Sequence, residues 1–446
     1  MAAPAIPVRA GKRFPPHLKL AWLVSLGGGI EIFEFFSYAI FANRIAAAFY
    51  PSKGQLTGTL LTLSSLAVGF LARPFGAAIM SHFGDRYGRR PVFVAGLAAM
   101  SLATAAIGLL PTYAQWGAAS GVIVVLLRVV QGLSVGGEMP GAAAYMVETI
   151  PRRASLLTGL VSALASIGVL AATGLSWAIE STLSEPDLAR FGWRIPFLIA
   201  GGCGFIALLA RRGLVETPAF SEVDRPKAKV PLGRVWRSYR AAFVVGLGVT
   251  IASMGFQGVF LGYLPIYLTR TLHYAPLEVA RALNAGSLVG AAAILGAAAL
   301  GQVVRPYWLM RLGAAALVLL AYPFFLAAAG RAAPLSVIFA GGGLVQGLLV
   351  GTFAFLSADL FPVDVRYSGS GVSQTLANAL AAGLAPLAAA WLVAVTGQVS
   401  APAAYLMLVG GVGLAASLFL PRHLGHIARD AERLEARPSA VAETPR

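Results

Sequence analysis

Glu31 and Glu34 stand three residues apart in an otherwise apolar stretch, with Tyr38 one helical turn beyond. In a helix the two acids point about 60° apart, so all three side chains can line one cavity. A carboxylate in hydrocarbon is expensive and marks function by default. Held in a partly dry site, it can load a proton from one side and release it on the other. The plainer alternative is a permanently ionised glutamate paired with a neighbouring cation. Two adjacent buried acids can hardly both stay charged, which favours proton coupling for at least one of them. A second group, Arg128, Gln131 and Glu138, falls within about an 80° arc of one helix. Arg128 cannot deprotonate and must find an anion: Glu31, Glu34 or the carboxylate of a ligand. If ligand and acid compete for it, protonating the acid frees the arginine and links the two binding events. A fixed structural ion pair is the alternative. Arg73 is a second candidate anion partner, unless it merely snorkels to the membrane surface. Glu138 joins Glu31 and Glu34 as a candidate proton carrier. Further along, Gln257, Tyr263, Tyr267, Asn284, Gln374 and Asn378 are neutral hydrogen-bonding groups in apolar surroundings. Two of them are expected to touch ligand; each alone could equally hold helices together, worth about 0.6 to 2 kcal/mol.

A third group is SHFGDRYGRRP, Ser81 to Pro91, a knot of charge between two long apolar runs. Such density requires water, so the segment is read as a loop against a membrane face. Asp85 can face the N-terminal end of a helix near Ser368 to Ser370, where the positive helix end attracts an acid. Arg89 or Arg90 can bond Glu148, and Arg86 belongs to the same knot. Contacts of this kind would exist in one conformation only and so bias it. Otherwise the loop is simply a topology signal.

The elements that must position these groups are membrane spans. The chain has 446 residues, 58% of them hydrophobic and 12% charged, with mean hydropathy +0.76, where soluble domains carry roughly 25% charge. Twelve apolar runs of about 20 residues predict helices over 20–42, 56–79, 91–110, 118–145, 155–179 and 193–210, then 241–268, 281–303, 309–329, 334–358, 369–396 and 401–421. With both termini in the cytoplasm, about 25 of the 34 Lys and Arg fall inside, as the positive-inside rule requires. The net charge of +16 is therefore loop charge; without a basic stripe interleaved with aromatics, nucleic-acid binding is not expected. The polar, basic stretch 211–240 reads as a cytoplasmic linker between two six-helix bundles, 20–210 and 241–421. Residues 1–19 and 422–446 read as cytoplasmic tails, the first leading into a full-length span rather than resembling a signal peptide. The single cysteine, Cys203, permits no internal disulfide. No P-loop, HExxH element or nucleophile elbow is present, so neither an enzyme nor a cofactor or metal site is expected.

The two halves are related. VQGLSVG at 130–136 and VQGLLVG at 345–351 occupy the fourth helix of each half. Glu148, Pro151 and Arg152 follow one copy, and Asp359, Pro362 and Arg366 the other, with spacing that differs by about one turn. Parallel repeats about an axis along the membrane normal place a binding site at mid-membrane between them. The GDRYGRR segment resembles the inner-loop signature of the major facilitator superfamily. Gly27 to Pro51, ARPFG at Ala72 to Gly76, RVVQGLSVGGEMPG at Arg128 to Gly141, GWRIPF at Gly192 to Phe197, ETPAF at Glu216 to Phe220 and FPVDVRYSGSG at Phe361 to Gly371 are similar, in order, to its metabolite:proton symporter branch. The branch's usual Asn, Trp and Asp of the first helix are replaced by Gly28, Ile32 and Glu34, and the first Gly of the loop signature by Ser81. The corresponding second-half loop, GQVVRPYWLMR, lacks the acid.

The resemblance implies an all-α protein of two pseudo-symmetric six-helix bundles in a bacterial inner membrane, acting as a monomer on a small molecule and protons. It implies import of a carboxylate-bearing metabolite by alternating access, with Asp85, Arg86, Arg89, Arg90 and Glu148 as the inner gate. An importer of a zwitterionic osmolyte is the alternative within the branch, although the C-terminal segment offers barely two heptads before Pro438 where osmosensing members carry a long coiled coil. An efflux antiporter is less favoured, since 155–179 contains no proline.

Overall fold

The computed structural model describes residues 16–51, 55–214, 216–221 and 230–435. Twelve long helices run in chain order: α1 (Pro16–Ile40), α2 (Gln55–Tyr87), α3 (Arg89–Leu109), α4 (Ala118–Thr149), α5 (Ala154–Thr182), α6 (Ile195–Arg211), α7 (Arg240–Arg270), α8 (Pro276–Leu300), α9 (Pro306–Ala329), α10 (Leu335–Asp359), α11 (Arg366–Thr396) and α12 (Pro402–Phe419). Among the described residues a long helix stands at each expected position. Eleven are each long and apolar enough to cross a bilayer, and α2 packs among them along α4. Prolines at the first turns of α8, α9 and α12 set their starts, where a missing N–H costs nothing. The face on which α1 begins and α12 ends is called the terminal face below.

Within the first half α1 packs on α5, α2 on α4, and α3 on α4 and α6. In the second, α8 packs on α10 while α12 lies against α7 and α9. The halves meet through α2 with α11 and α5 with α8. The repeated VQGLxVG element explains why α2–α4 and α8–α10 approach closely. A Cβ on Gly132 or Gly136 of α4 would lie 2.1 Å from a backbone oxygen of α2, and one on Gly347 or Gly351 of α10 would lie within 2.8 Å of a backbone oxygen of α8.

Two local readings are corrected. The charged knot is not a loop: α2 stays helical through Tyr87, and Gly88 alone (φ 114°) breaks it before α3 starts at Arg89. The chain leaves hydrocarbon while still helical, so the density of charge marks the membrane surface and not the helix end. Arg211, assigned to the linker, is instead the last residue of α6 and fully buried. The linker itself contains two short helices, Pro218–Ser221 and Pro231–Ser238. After α12 a helix, His426–Glu435, lies on the terminal face; Pro438 is outside the described residues.

Two wide turns interrupt the second half, Gly258–Tyr263 in α7 and Asn378–Ala382 in α11. They face each other closely enough that a Cβ on Gly258 would lie 2.6 Å from the Ala382 Cα. Such π-type turns rotate the residues at their edges and recur at functional sites. Gln257 and Asn378 stand at those edges.

Candidate functional site

The charge inside the first half is organised as acid–arginine pairs, as the cost of isolated charge demands. Glu31 and Glu34 are buried on one side of α1, 3% and 5% exposed. Glu31 faces Arg73 of α2 at 3.3 Å, and Glu34 faces Arg128 of α4 at 2.8 Å. Arg128 also donates to Gln131 at 2.8 Å and lies 3.6 Å from the centre of the Tyr38 ring. Gln131 is fixed by Thr104 at 2.7 Å, and the Tyr38 hydroxyl by Ser65 at 2.7 Å. A cavity of about 30 Å³ lies among Glu31, Glu34, Arg73, Arg128 and Gln131, the share of one water. Glu138 has its own partner, Arg211, at 2.7 Å. That guanidinium also donates to the Leu23 and Val24 carbonyls and sits over the Phe93 ring. Gly27 makes room for the pair, since a Cβ there would lie 2.0 Å from Glu138 Oε1.

A second cavity, of about 100 Å³, lies between the halves. Glu31, Arg73 and Ser166 line it from the first half, and Gln257, Gln346, Gln374 and Asn378 from the second. Arg73 and Glu31 border both cavities. The amides facing the larger one are under-bonded. Gln346 Oε1, Gln374 Nε2 and Asn378 Oδ1 are buried without a hydrogen-bond partner, as is Glu31 Oε2. Gln346 donates weakly to Ser166 at 3.5 Å, and Asn378 reaches only the Met254 sulfur at 3.6 Å. Native proteins rarely leave buried polar atoms unpaired, and such clusters point to a ligand.

Other expected residues lie elsewhere. Arg128, Gln131, Glu34 and Tyr38 sit behind Arg73 in the first half, away from the larger cavity's wall. Tyr263 stacks on Tyr267, which packs on Phe325 of α9 and donates its hydroxyl to the Val399 carbonyl. Tyr263 is the last residue of the wide turn of α7 and Tyr267 follows one helical turn later, and both are buried in the core of the second bundle. Asn284 accepts from Thr173 at 2.7 Å across the α5–α8 contact, the helix-joining role that was its alternative.

On the terminal face the halves are bolted together. Asp85 accepts from the backbone N–H groups of Tyr367 and Ser368 at 3.3 and 2.8 Å, in the first turn of α11. Arg89 donates to Asp85 at 2.5 Å, Glu148 at 3.0 Å and the Val363 carbonyl of the other half at 2.5 Å. Arg366 joins Glu148 at 3.2 Å to Asp430 of the C-terminal helix at 2.8 Å. The Tyr367 hydroxyl donates to the Gly137 carbonyl of α4 at 2.7 Å. Of the two arginines offered for Glu148, Arg89 is the one used; Arg90 donates to the Arg212 carbonyl at 2.8 Å. Arg86 is exposed over Tyr87, one helical step round from Asp85 and outside the bolt.

A family model of the Major Facilitator Superfamily matches residues 24–386. The chain belongs to this superfamily. It is a multi-pass membrane transporter, not an enzyme, and its fold is two six-helix bundles about a central cavity. The transporter is 32% identical to the inner membrane metabolite transport protein YhjE of Escherichia coli, covering 88% of this chain and 91% of that protein. It is 32% identical to the proline/betaine transporter of Escherichia coli, covering 87% and 80%. It is 30% identical to the citrate-proton symporter of Salmonella typhi, covering 91% and 95%. Among solved structures, a double-tryptophan mutant of XylE superposes with a TM-score of 0.77 at 15% identity, covering 93% of this chain and 98% of that one.

Several members of the transporter's polar machinery escaped the sequence reading. Gln346 was legible in principle, because it is the repeat partner of Gln131 in VQGLxVG. Arg211 closes a helix at the membrane surface, where an arginine usually meets water. Glu216 accepts from the Arg89 and Arg90 N–H groups at 3.0 and 3.1 Å, capping α3; only its position in ETPAF hinted at a role. Gln302 takes the place of the missing acid after α8. Its amide accepts from Leu156 N and donates to the Arg152 carbonyl, both at 3.0 Å, at the start of α5.

Proposed function

We propose that the transporter imports a small carboxylate-bearing metabolite with protons by alternating access, and that Arg73 and Glu31 couple the two. The observation that carries this reading is that one guanidinium both pairs with Glu31 and faces the cavity between the halves. While Glu31 is ionised it holds Arg73. Protonating Glu31 leaves the guanidinium without its anion and ready for a substrate carboxylate. With proton and substrate both bound, the cavity carries no unpaired charge and the halves can rock about it. Glu34 with Arg128, and Glu138 with Arg211, are further stations on the proton's route through the first half. Gln257, Gln374 and Asn378 take the uncharged end of the substrate.

The basic residues on the terminal face favour placing it, and both termini, in the cytoplasm. Asp85, Arg89, Glu148 and Arg366 then form the inner gate, closed while the cavity serves the outside. A single chain supplies the whole cavity, which supports a functional monomer in the bacterial inner membrane. Similarity to the proline/betaine transporter favours a second reading, import of a zwitterionic osmolyte.

Proteoliposomes with an acid-outside gradient separate these readings. The proposal expects uphill accumulation of a carboxylate that Glu31→Gln abolishes while leaving carboxylate exchange, and that Arg73→Ala abolishes together with exchange. Accumulation of proline or betaine but of no carboxylate would establish the second reading.

A further inference from the structure

The second-half wall of the cavity carries more information than a generic polar surface. Its charged side chains, Glu31 and Arg73, both come from the first half; the second half contributes the amides of Gln257, Gln346, Gln374 and Asn378. Gln346 and Gln374 are 2% and 6% exposed, and Gln346 Oε1, Gln374 Nε2 and Asn378 Oδ1 lack partners. The unmet set therefore contains two acceptors and one donor. An amide turned end for end exchanges the kind of atom it presents, so a group that both donates and accepts serves either orientation.

The chemistry that satisfies this set is narrow. A quaternary ammonium has no N–H to give and no lone pair to offer. A primary ammonium donates only, and would bring a charge to a wall of neutral amides, the cavity's acid, Glu31, being paired with Arg73 on the opposite wall, a costly burial. A hydroxyl both donates and accepts. The cavity's volume of about 100 Å³ is small beside the several hundred that drug-sized ligands fill. The arginine on its wall, Arg73, has room for one anion once Glu31 is protonated.

We propose that Gln346, with Gln374 and Asn378, reads hydroxyl groups, so that the substrate is a small hydroxylated monocarboxylate with its carboxylate on Arg73. The inference rests on the carboxylate reading above and adds the identity of the other end. Gln346 is the main specificity residue because it is the most buried, bridges toward Ser166 of the opposite half, and is placed by the close α8–α10 contact. Its repeat partner Gln131 is occupied with Arg128 and Thr104, so the two halves have given one motif position two tasks.

The test is binding to purified transporter, by calorimetry, of propionate, lactate and glycerate, which share three carbons and one carboxylate but carry zero, one and two hydroxyls. Alanine and glycine betaine are the ammonium controls. Affinity is expected to rise about tenfold per hydroxyl, and Gln346→Leu to remove most of the glycerate advantage while changing propionate binding by less than about twofold. Gln374→Leu gives an independent variant should Gln346→Leu not fold, and the wild-type series decides without either. Equal affinity across the three carboxylates, or tighter binding of alanine or betaine, overturns the hydroxyl reading. Loss of the series with Arg73→Ala while hydroxyl count has no effect overturns this inference alone, whereas no carboxylate binding at all overturns the carboxylate reading beneath it.

Discussion

Arg73 and Arg128 look interchangeable on paper, each an arginine near a glutamate of α1, and the difference between them is what surrounds the guanidinium. Arg128 is held by Glu34, Gln131 and the Tyr38 ring, whereas Arg73 has Glu31, the Phe70 ring and an open cavity. Charge in an apolar run was enough to single out Glu31, Glu34, Arg73 and Arg128. Which arginine meets the cavity depends on neighbours in the other half of the chain and could not be read from spacing. The third pair yields a stability prediction. Arg211→Ala leaves Glu138 buried and uncompensated, and should cost about 3–5 kcal/mol in thermal unfolding of detergent-purified protein. The double variant Glu138→Leu with Arg211→Met should recover most of that loss, because replacing both partners removes the orphan. Persistent destabilisation in the double variant would mean the pair does more than satisfy itself.

At the scale of elements, all twelve helices were legible because hydrocarbon enforces long apolar runs. The repeat was legible too, and its structural use is close approach between helix pairs. Gly136→Ala pushes a Cβ to 2.1 Å from the Arg73 carbonyl oxygen, a backbone atom that cannot swing aside. It should cost about 1–3 kcal/mol and, by shifting α2, disturb transport, whereas alanine at Gly174 of α5, where a Cβ meets nothing, should leave unfolding and transport unchanged. Equal thermal unfolding of the two variants would show that α4 is not locked to α2 there. The wide turns of α7 and α11 were not legible. Nothing in GVFLGY or NALAA announces an extra residue per turn, because the turn is a response to the partner helix and not a local propensity. Those turns place Gln257 and Asn378 on the cavity and take Tyr263 off it, which is why the second-half side chains were only partly identified.

For the whole molecule, the halves are joined at the terminal face through Asp85, Arg89, Glu148 and Arg366. Each contact across the divide exists only while that face is closed, so removing one should favour the opposite state. Asp85→Asn weakens the acid's hold on the first turn of α11 and on Arg89. Spin labels on α2 and α11 at that face should report a larger open population; an unchanged distance distribution would reassign Asp85 to folding. In the second-half loop, which lacks the acid, the neutral amide of Gln302 bonds the start of α5. The asymmetry is thus one of charge, and Gln302→Ala should shift the distribution in the same direction by less than Asp85→Asn, as a neutral hydrogen bond is worth less than a charged one.

The coupling rests on one guanidinium for which the substrate carboxylate and Glu31 compete, so that Glu31 gives up Arg73 when it is protonated. Proton uptake on ligand binding tests it most directly. Glycerate is added to purified transporter in weakly buffered solution with a pH indicator. Wild type is expected to take up a proton as glycerate binds, while Glu31→Gln binds glycerate with no proton uptake and with affinity independent of pH. Undiminished proton uptake by Glu31→Gln, or glycerate binding to wild type with none, would contradict it.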